Sequence, residues 1–196
     1  MSAIAHDAVV LALNYQNEML HPDGRTRLGV APDGLGRASV VEAATRLLVG
    51  ARARGIPVIS IRGAYRHDHA DVIQNGQIYR DLVANRMLIE GSWGAAFYDD
   101  LGPVAGEFIV THRRSNAFLF SPLEAYIRCL NGHRLIIAGV ATNSCVESTV
   151  RHASDVGYDV HVAADACISG DPSLHSGSLR NMAFIADVSD VATLVG

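Results

Sequence analysis

The sequence predicts an α/β fold: a three-layer α/β/α domain around a mainly parallel sheet of about six strands. Short apolar, β-branched runs alternate with longer segments of helical spacing along nearly the whole chain, the pattern of a parallel sheet covered on both faces. The 196 residues are 49% hydrophobic and 18% charged, enough to bury one core without disulfides or metals.

The first strand is read at residues 8–13 (AVVLAL), an unbroken apolar run of the length that a doubly covered strand needs. A helix follows at 37–54, with Val41, Ala44, Leu47, Leu48 and Ala51 at helical spacing and Gly55 as its stop. Residues 57–62 (PVISIR) form the second strand. Periodicity then lapses from Gly63 to Gly94, apart from a short helix around 78–87, and a segment of that length is expected to be a functional loop or lid. The third strand is placed at 108–111. Ser121 as N-cap, Pro122 at the first helical position and Glu124 in the first turn open a helix that runs to about Leu130 and ends by Gly132. A strand at 134–138 (RLIIA), a helix at 143–156, a strand at 158–163, a helix at 175–185 and a last strand at 188–194 complete the pattern. No repeat or linker interrupts it, so residues 1–196 are read as one domain.

Charge and cysteine usage narrow the partners. A formal charge of -4 and a pI near 6.1 argue against nucleic acid and anionic membrane surfaces. No stretch approaches the roughly 20 apolar residues of a membrane span, and the N-terminus lacks the basic and apolar regions of a secretory signal. Three cysteines without zinc spacing read as free thiols in a reducing compartment. The expectation is a cytoplasmic protein that takes a small molecule and no cofactor; no glycine-rich nucleotide motif is present.

In doubly wound sheets, ligands bind beyond the carboxyl ends of the strands. Three such ends carry polar or reactive residues: Asn14-Tyr15-Gln16-Asn17, His112-Arg113-Arg114-Ser115-Asn116, and the run from Gly139 to Cys145. Cys145 falls at a helix start, where free N–H groups and the helix dipole favour a thiolate and suit an oxyanion. The competing reading is a small buried hydrophobe; Cys129 and Cys167 lack such a setting and are read as inert. Tyr15, Gln16, Trp93 and Phe118 are candidates for the substrate pocket, with packing as the alternative for the aromatics. Arg113 and Arg114 are read either as a carboxylate clamp or as solvated charges. Asp165 is taken for a turn or cap residue after a strand. His67 and His69 are taken for solvated loop residues, so no metal is expected.

The segment GVATNSCVESTVRHASDVGYDVHVAADAC resembles the signature block of the isochorismatase-like cysteine hydrolase superfamily, which includes nicotinamidases and N-carbamoylsarcosine amidohydrolase. NYQN, GIPVISIR, EGSWGAAFYDDLGPVAGEFIVTHRRSNAF and the pairs Gly157-Tyr158 and Asp165-Ala166 extend the resemblance along the chain. It implies strand order 3-2-1-4-5-6, a homo-oligomer and Cys145 as nucleophile. It further implies a cis peptide at Val140–Ala141 and an oxyanion hole from the backbone N–H groups of Ala141 and Cys145. The metal motif of the nicotinamidases, Asp-x-His followed later by His, is not reproduced in order.

Two positions depart from the family. Its general-base aspartate falls on Asn14, and its catalytic lysine falls on His112. Asparagine cannot take up a proton at neutral pH, whereas imidazole titrates there. The expected site is therefore a rewired Cys145–His112–Asn14 set, in which His112 activates the thiol and protonates the leaving group while Asn14 orients either the imidazole or the substrate. Cys-His-Asn sets fill these roles on an unrelated protease fold. The expected reaction is hydrolysis of a C–N bond in a small amide or carbamoyl compound through a thioester at Cys145. The alternative is a catalytically impaired relative that binds a ligand or serves as a scaffold.

Overall fold

A computed structural model describes residues 7–26, 30, 34 and 36–196. Six strands form one sheet in the order β3-β2-β1-β4-β5-β6. They are β1 (Ala8–Leu13), β2 (Val58–Gly63), β3 (Phe108–His112), β4 (Arg134–Val140), β5 (Asp159–Ile168) and β6 (Asp187–Ser189). Every ladder is parallel. The fold class and strand order thus stand as the sequence and the resemblance imply. β1 is buried at every residue because it lies between β2 and β4 with both faces covered, which is why its sequence shows no alternation.

Helices α1 (Asn17–Leu20), α2 (Arg37–Ala53), α3 (Gln77–Ala84), α4 (Leu123–Cys129), α5 (Glu147–Asp155), α6 (Pro172–Met182) and α7 (Val191–Val195) surround the sheet. α2 buries Val40, Ala43, Ala44, Leu47, Leu48 and Ala51, one helical stripe laid on β5, with α7 packed alongside. Val41, placed on that stripe by the sequence, lies at its edge and is only partly buried.

The differences from expectation cluster after β4. The helix read at 143–156 opens as a π-helical turn, Thr142–Val146, before α5 begins. β5 continues to Ile168, past a register shift against β4 between Ile137 and Gly139. Asp165 therefore lies inside a strand and not in a loop, although its carboxylate does accept the Val191 N–H at 2.9 Å, at the start of α7. The strand read at 188–194 is in fact β6 followed by α7. Asp190 accepts the Thr193 N–H at 2.8 Å and starts the helix, and Val191, Leu194 and Val195 bury one face at helical spacing. α6 starts at Pro172 and not at His175, because Asp171 caps the Ser173 and Leu174 N–H groups ahead of a proline at the first helical position. α4 starts at Leu123, with Pro122 in the cap position, while the Ser121 hydroxyl still accepts the Leu123 N–H. Among the described residues, no helix is long and apolar enough to cross a membrane.

Candidate active site

Three strand exits supply the site. β1 leads into Asn14, whose φ of 56° is a left-handed conformation that asparagine tolerates better than most residues. β3 ends on His112, and β4 leads through Val140 into the π-helical turn that carries Cys145. Just before that turn, a Cβ on Gly139 would lie 2.1 Å from the carbonyl oxygen of Leu13, so only glycine lets β4 run this close to β1. The peptide Val140–Ala141 is cis.

The side chains meet. The Asn14 Nδ2 donates to the Val140 carbonyl at 3.1 Å, and its Oδ1 lies 2.8 Å from Nε2 of His112. The same Nε2 is 4.0 Å from the Cys145 Sγ, and Nδ1 of His112 bonds the Arg114 carbonyl. All three residues are buried, yet all three border a cavity of about 490 Å³, a size suited to a small molecule. Val140 and Ala141 form part of its floor. The segment expected to act as a functional loop supplies the opposite wall through Tyr65, Tyr79, Leu82, Met87 and Leu88.

Burial dominates the local electrostatics. It pushes the Cys145 thiol up to about 12, against hydrogen bonds from Thr149 and Asn14 that pull it down. It pushes His112 below its ordinary value, against the Arg114 carbonyl, which favours the protonated ring. Burial likewise raises the Tyr65 phenol, so this wall offers a protonated hydroxyl.

The four pocket candidates read from sequence lie elsewhere. Tyr15 is buried with its hydroxyl on the Ala166 carbonyl at 2.5 Å. Gln16 ties the exit of β2 to the turn at 93–95, through the carbonyls of Gly63 and Ala95 and the Gly63 N–H. Trp93 is half exposed and packs edge-on against His21. Phe118 stacks on His152 of α5, with ring centroids 4.6 Å apart. None of the four borders the cavity.

The arginine pair divides. Arg113 is bound to Asp71 at 2.6 Å. Arg114 is on the cavity wall, its guanidinium 3.7 Å from the centre of the Tyr79 ring. His69 is buried with Nε2 on the Met87 carbonyl, whereas His67 is exposed. The three ligand-type side chains that do gather among the described residues, Asp159, His161 and Asp187, sit near the amino ends of β5 and β6, away from the cavity.

Tyr65, Tyr79 and Thr149 are site residues that sequence reasoning missed. Tyr79 and Leu82, three apart on α3, are its buried face, and that spacing was the available signal. Thr149 stands four residues after Cys145, one helical turn on.

Comparison with known proteins follows from this geometry. The Isochorismatase domain family matches residues 8–193. Ureidoacrylate amidohydrolase RutB from Methylorubrum extorquens is 31% identical over 206 aligned residues, covering 96% of this chain and 83% of that protein. The RutB of Methylobacterium radiotolerans is 32% identical over 198, covering 93% and 76%. Among solved structures, an isochorismatase family protein from Desulfovibrio vulgaris has a TM-score of 0.85 at 22% identity, over 96% of each chain. N-carbamoylsarcosine amidase from Thermoplasma acidophilum has a TM-score of 0.75 at 20% identity, over 94% of this chain and 96% of its own. These two structures share the fold.

Proposed function

The chain belongs to the isochorismatase family, and from that premise we propose that it hydrolyses the C–N bond of a small ureido acid through a thioester on Cys145. The amidohydrolase relatives, similar over nearly the whole chain, support C–N cleavage. They lend no support to the alternative of an impaired, purely binding relative. The observation that carries the assignment of roles is the contact chain from Cys145 through His112 to Asn14 on one cavity wall.

The Cys145 sulfur attacks the substrate carbonyl, and the N–H groups of Ala141 and Cys145 hold the resulting oxyanion. His112 gives a proton to the departing nitrogen and then takes one from the water that opens the thioester. Asn14 holds the imidazole. A carboxylic acid at the position of Asn14, which vinyl-ether cleavage would want, is missing.

Arg114 points to the substrate class. Two of its N–H groups are used, on the Ile73 carbonyl and Asn75 Oδ1, and no carboxylate pairs with it among the described residues. Arg25, the other arginine on the cavity wall among the described residues, is already matched by the buried Glu18. An open guanidinium on the wall suits a substrate carboxylate, which ureidoacrylate, the compound named for the relatives, carries. We place the protein in a reducing compartment, in keeping with its three free thiols, and as a homo-oligomer, which sedimentation would check.

Ammonia release from ureidoacrylate and from N-carbamoyl amino acids, with Cys145→Ala alongside, tests this reading. Turnover that vanishes in the variant supports it; turnover that survives the substitution, or inertness toward every ureido and amide acid, refutes it.

A further inference from the structure

Each nitrogen of the His112 ring faces an acceptor. Nδ1 meets the carbonyl oxygen of Arg114, and Nε2 meets Oδ1 of Asn14 at 2.8 Å. The Asn14 amide is not free to turn over. Its Nδ2 donates to the Val140 carbonyl at 3.1 Å, and a flip would set oxygen against oxygen there. A neutral imidazole carries one N–H, so either tautomer leaves a nitrogen lone pair against an oxygen lone pair in a buried site. Only the doubly protonated ring satisfies both contacts.

The counterion is at hand. Sγ of Cys145 lies 4.0 Å from Nε2, and Thr149 and Asn14 hydrogen-bond to the sulfur. The Thr149 oxygen already accepts the Ala117 N–H at 3.1 Å, which leaves its own proton for the thiolate. Among the described residues, the other ionisable groups on the cavity wall are Tyr65 beyond β2, Tyr79 and Asp81 on α3, Arg114 after β3, and Arg25. Asp81 is held by Gln77 at 2.6 Å and Arg25 by Glu18, so among the described residues no carboxylate hydrogen-bonds His112.

We propose that the resting site is a thiolate–imidazolium pair, Cys145 with His112, and that Asn14 and the Arg114 carbonyl are the positioning groups that hold it. The proton leaves Sγ for Nε2 and the sulfur keeps the electron pair, so the buried site stays neutral overall although burial opposes either charge alone. On attack the S–C bond forms, the C–N bond breaks and the departing nitrogen takes the Nε2 proton. Water then adds its oxygen to the acyl carbon, gives a proton to His112, and the C–S bond breaks to restore the pair. Asn14 suits this role, because a neutral acceptor holds the imidazolium without competing with sulfur as its counterion.

The proposal deepens the hydrolase reading, but its test needs no substrate. Thiolate ultraviolet absorbance and iodoacetamide alkylation are followed against pH, with nitrogen NMR of the His112 ring assigned through His112→Gln and Cys145→Ala. In the wild type the thiolate signal and both ring N–H groups are expected at about pH 6, well below the ordinary thiol range near 8.5. Asn14→Leu should lose the thiolate at that pH, with alkylation about tenfold slower or more, one pKa unit being tenfold. Asn14→Asp should keep the imidazolium but return the proton to sulfur, a split that a merely structural role would not produce. A wild-type thiol that reacts only above about pH 8.5, or a ring with one protonated nitrogen, overturns the proposal whether or not a substrate is found. These wild-type readings decide the matter even if a variant fails to fold.

Discussion

Asn14, His112 and Cys145 lie 98 and 33 residues apart in sequence and within hydrogen-bond reach or contact distance in space. Their division of labour is open to single substitutions. His112→Ala should lower kcat by about a hundredfold or more, the usual worth of a placed acid–base group, measured on whichever ureido acid is turned over. Arg114→Gln should behave differently. A charge-assisted bond to a carboxylate is worth about 1.5–3 kcal/mol, so KM for an anionic substrate should rise roughly ten- to a hundredfold with little change in kcat. Hydrolysis of a neutral amide should not respond. An equal loss on both substrates would show that Arg114 serves the wall and not the carboxylate. Tyr15 and Phe118 illustrate why such residues were hard to rank from sequence. An aromatic side chain at a strand exit can turn toward the ligand or back under the sheet, and here the Ala166 carbonyl and the His152 ring draw them back.

At the scale of elements, local signals fared well wherever caps and periodicity acted within one segment. The α2 stripe and the apolar run of β1 are cases where one helix or strand states its own burial pattern. The last helix was misread as strand although its Asp190 cap is local, and its second starting contact is not local. Asp165 on β5 accepts the Val191 N–H across 26 residues, and this contact together with the Asp190 cap starts a helix in a segment whose composition suits a strand. Asp165→Ala should cost about 1 kcal/mol and lower Tm by about 2–4 °C in a chain of this size. Since Asp165 does not border the cavity, kcat should hold. Gly139→Ala should be far worse: its Cβ would enter the Leu13 carbonyl at 2.1 Å, push β4 from β1 and displace the turn that carries Cys145. Soluble protein with full activity from that variant would contradict the close approach.

For the whole molecule, acid should act in two stages. Burial holds His175 below its ordinary value, and its Nδ1 lies 2.8 Å from the Thr142 hydroxyl. The unfolded chain therefore binds that proton first, and the stability present above about pH 6.5 falls as pH drops through the depressed folded value. Asp159, held below the carboxylate range by Arg134 at 2.6 Å, acts lower down. Its contribution is present above about pH 4 and lost as pH falls through its own depressed value. Thermal melts from neutral to acid pH should show both stages, with His175→Gln weakening the first. A Tm that rises on acidification toward pH 5 would contradict the sign.

By itself the sequence determined the succession of strands and longer helices as far as α6, and it pointed to the strand exits that border the cavity, Cys145 among them. These rest on periodicity, caps and turns, whose physics acts within a few residues of chain. Tertiary structure alone decided which side chains face the cavity: Tyr65, Tyr79 and Arg114 in place of Tyr15, Gln16, Trp93 and Phe118. It also decided that both nitrogens of His112 meet oxygens. Beyond the end of a strand no repeat dictates direction, and each side chain turns to the partner that distant segments bring within reach.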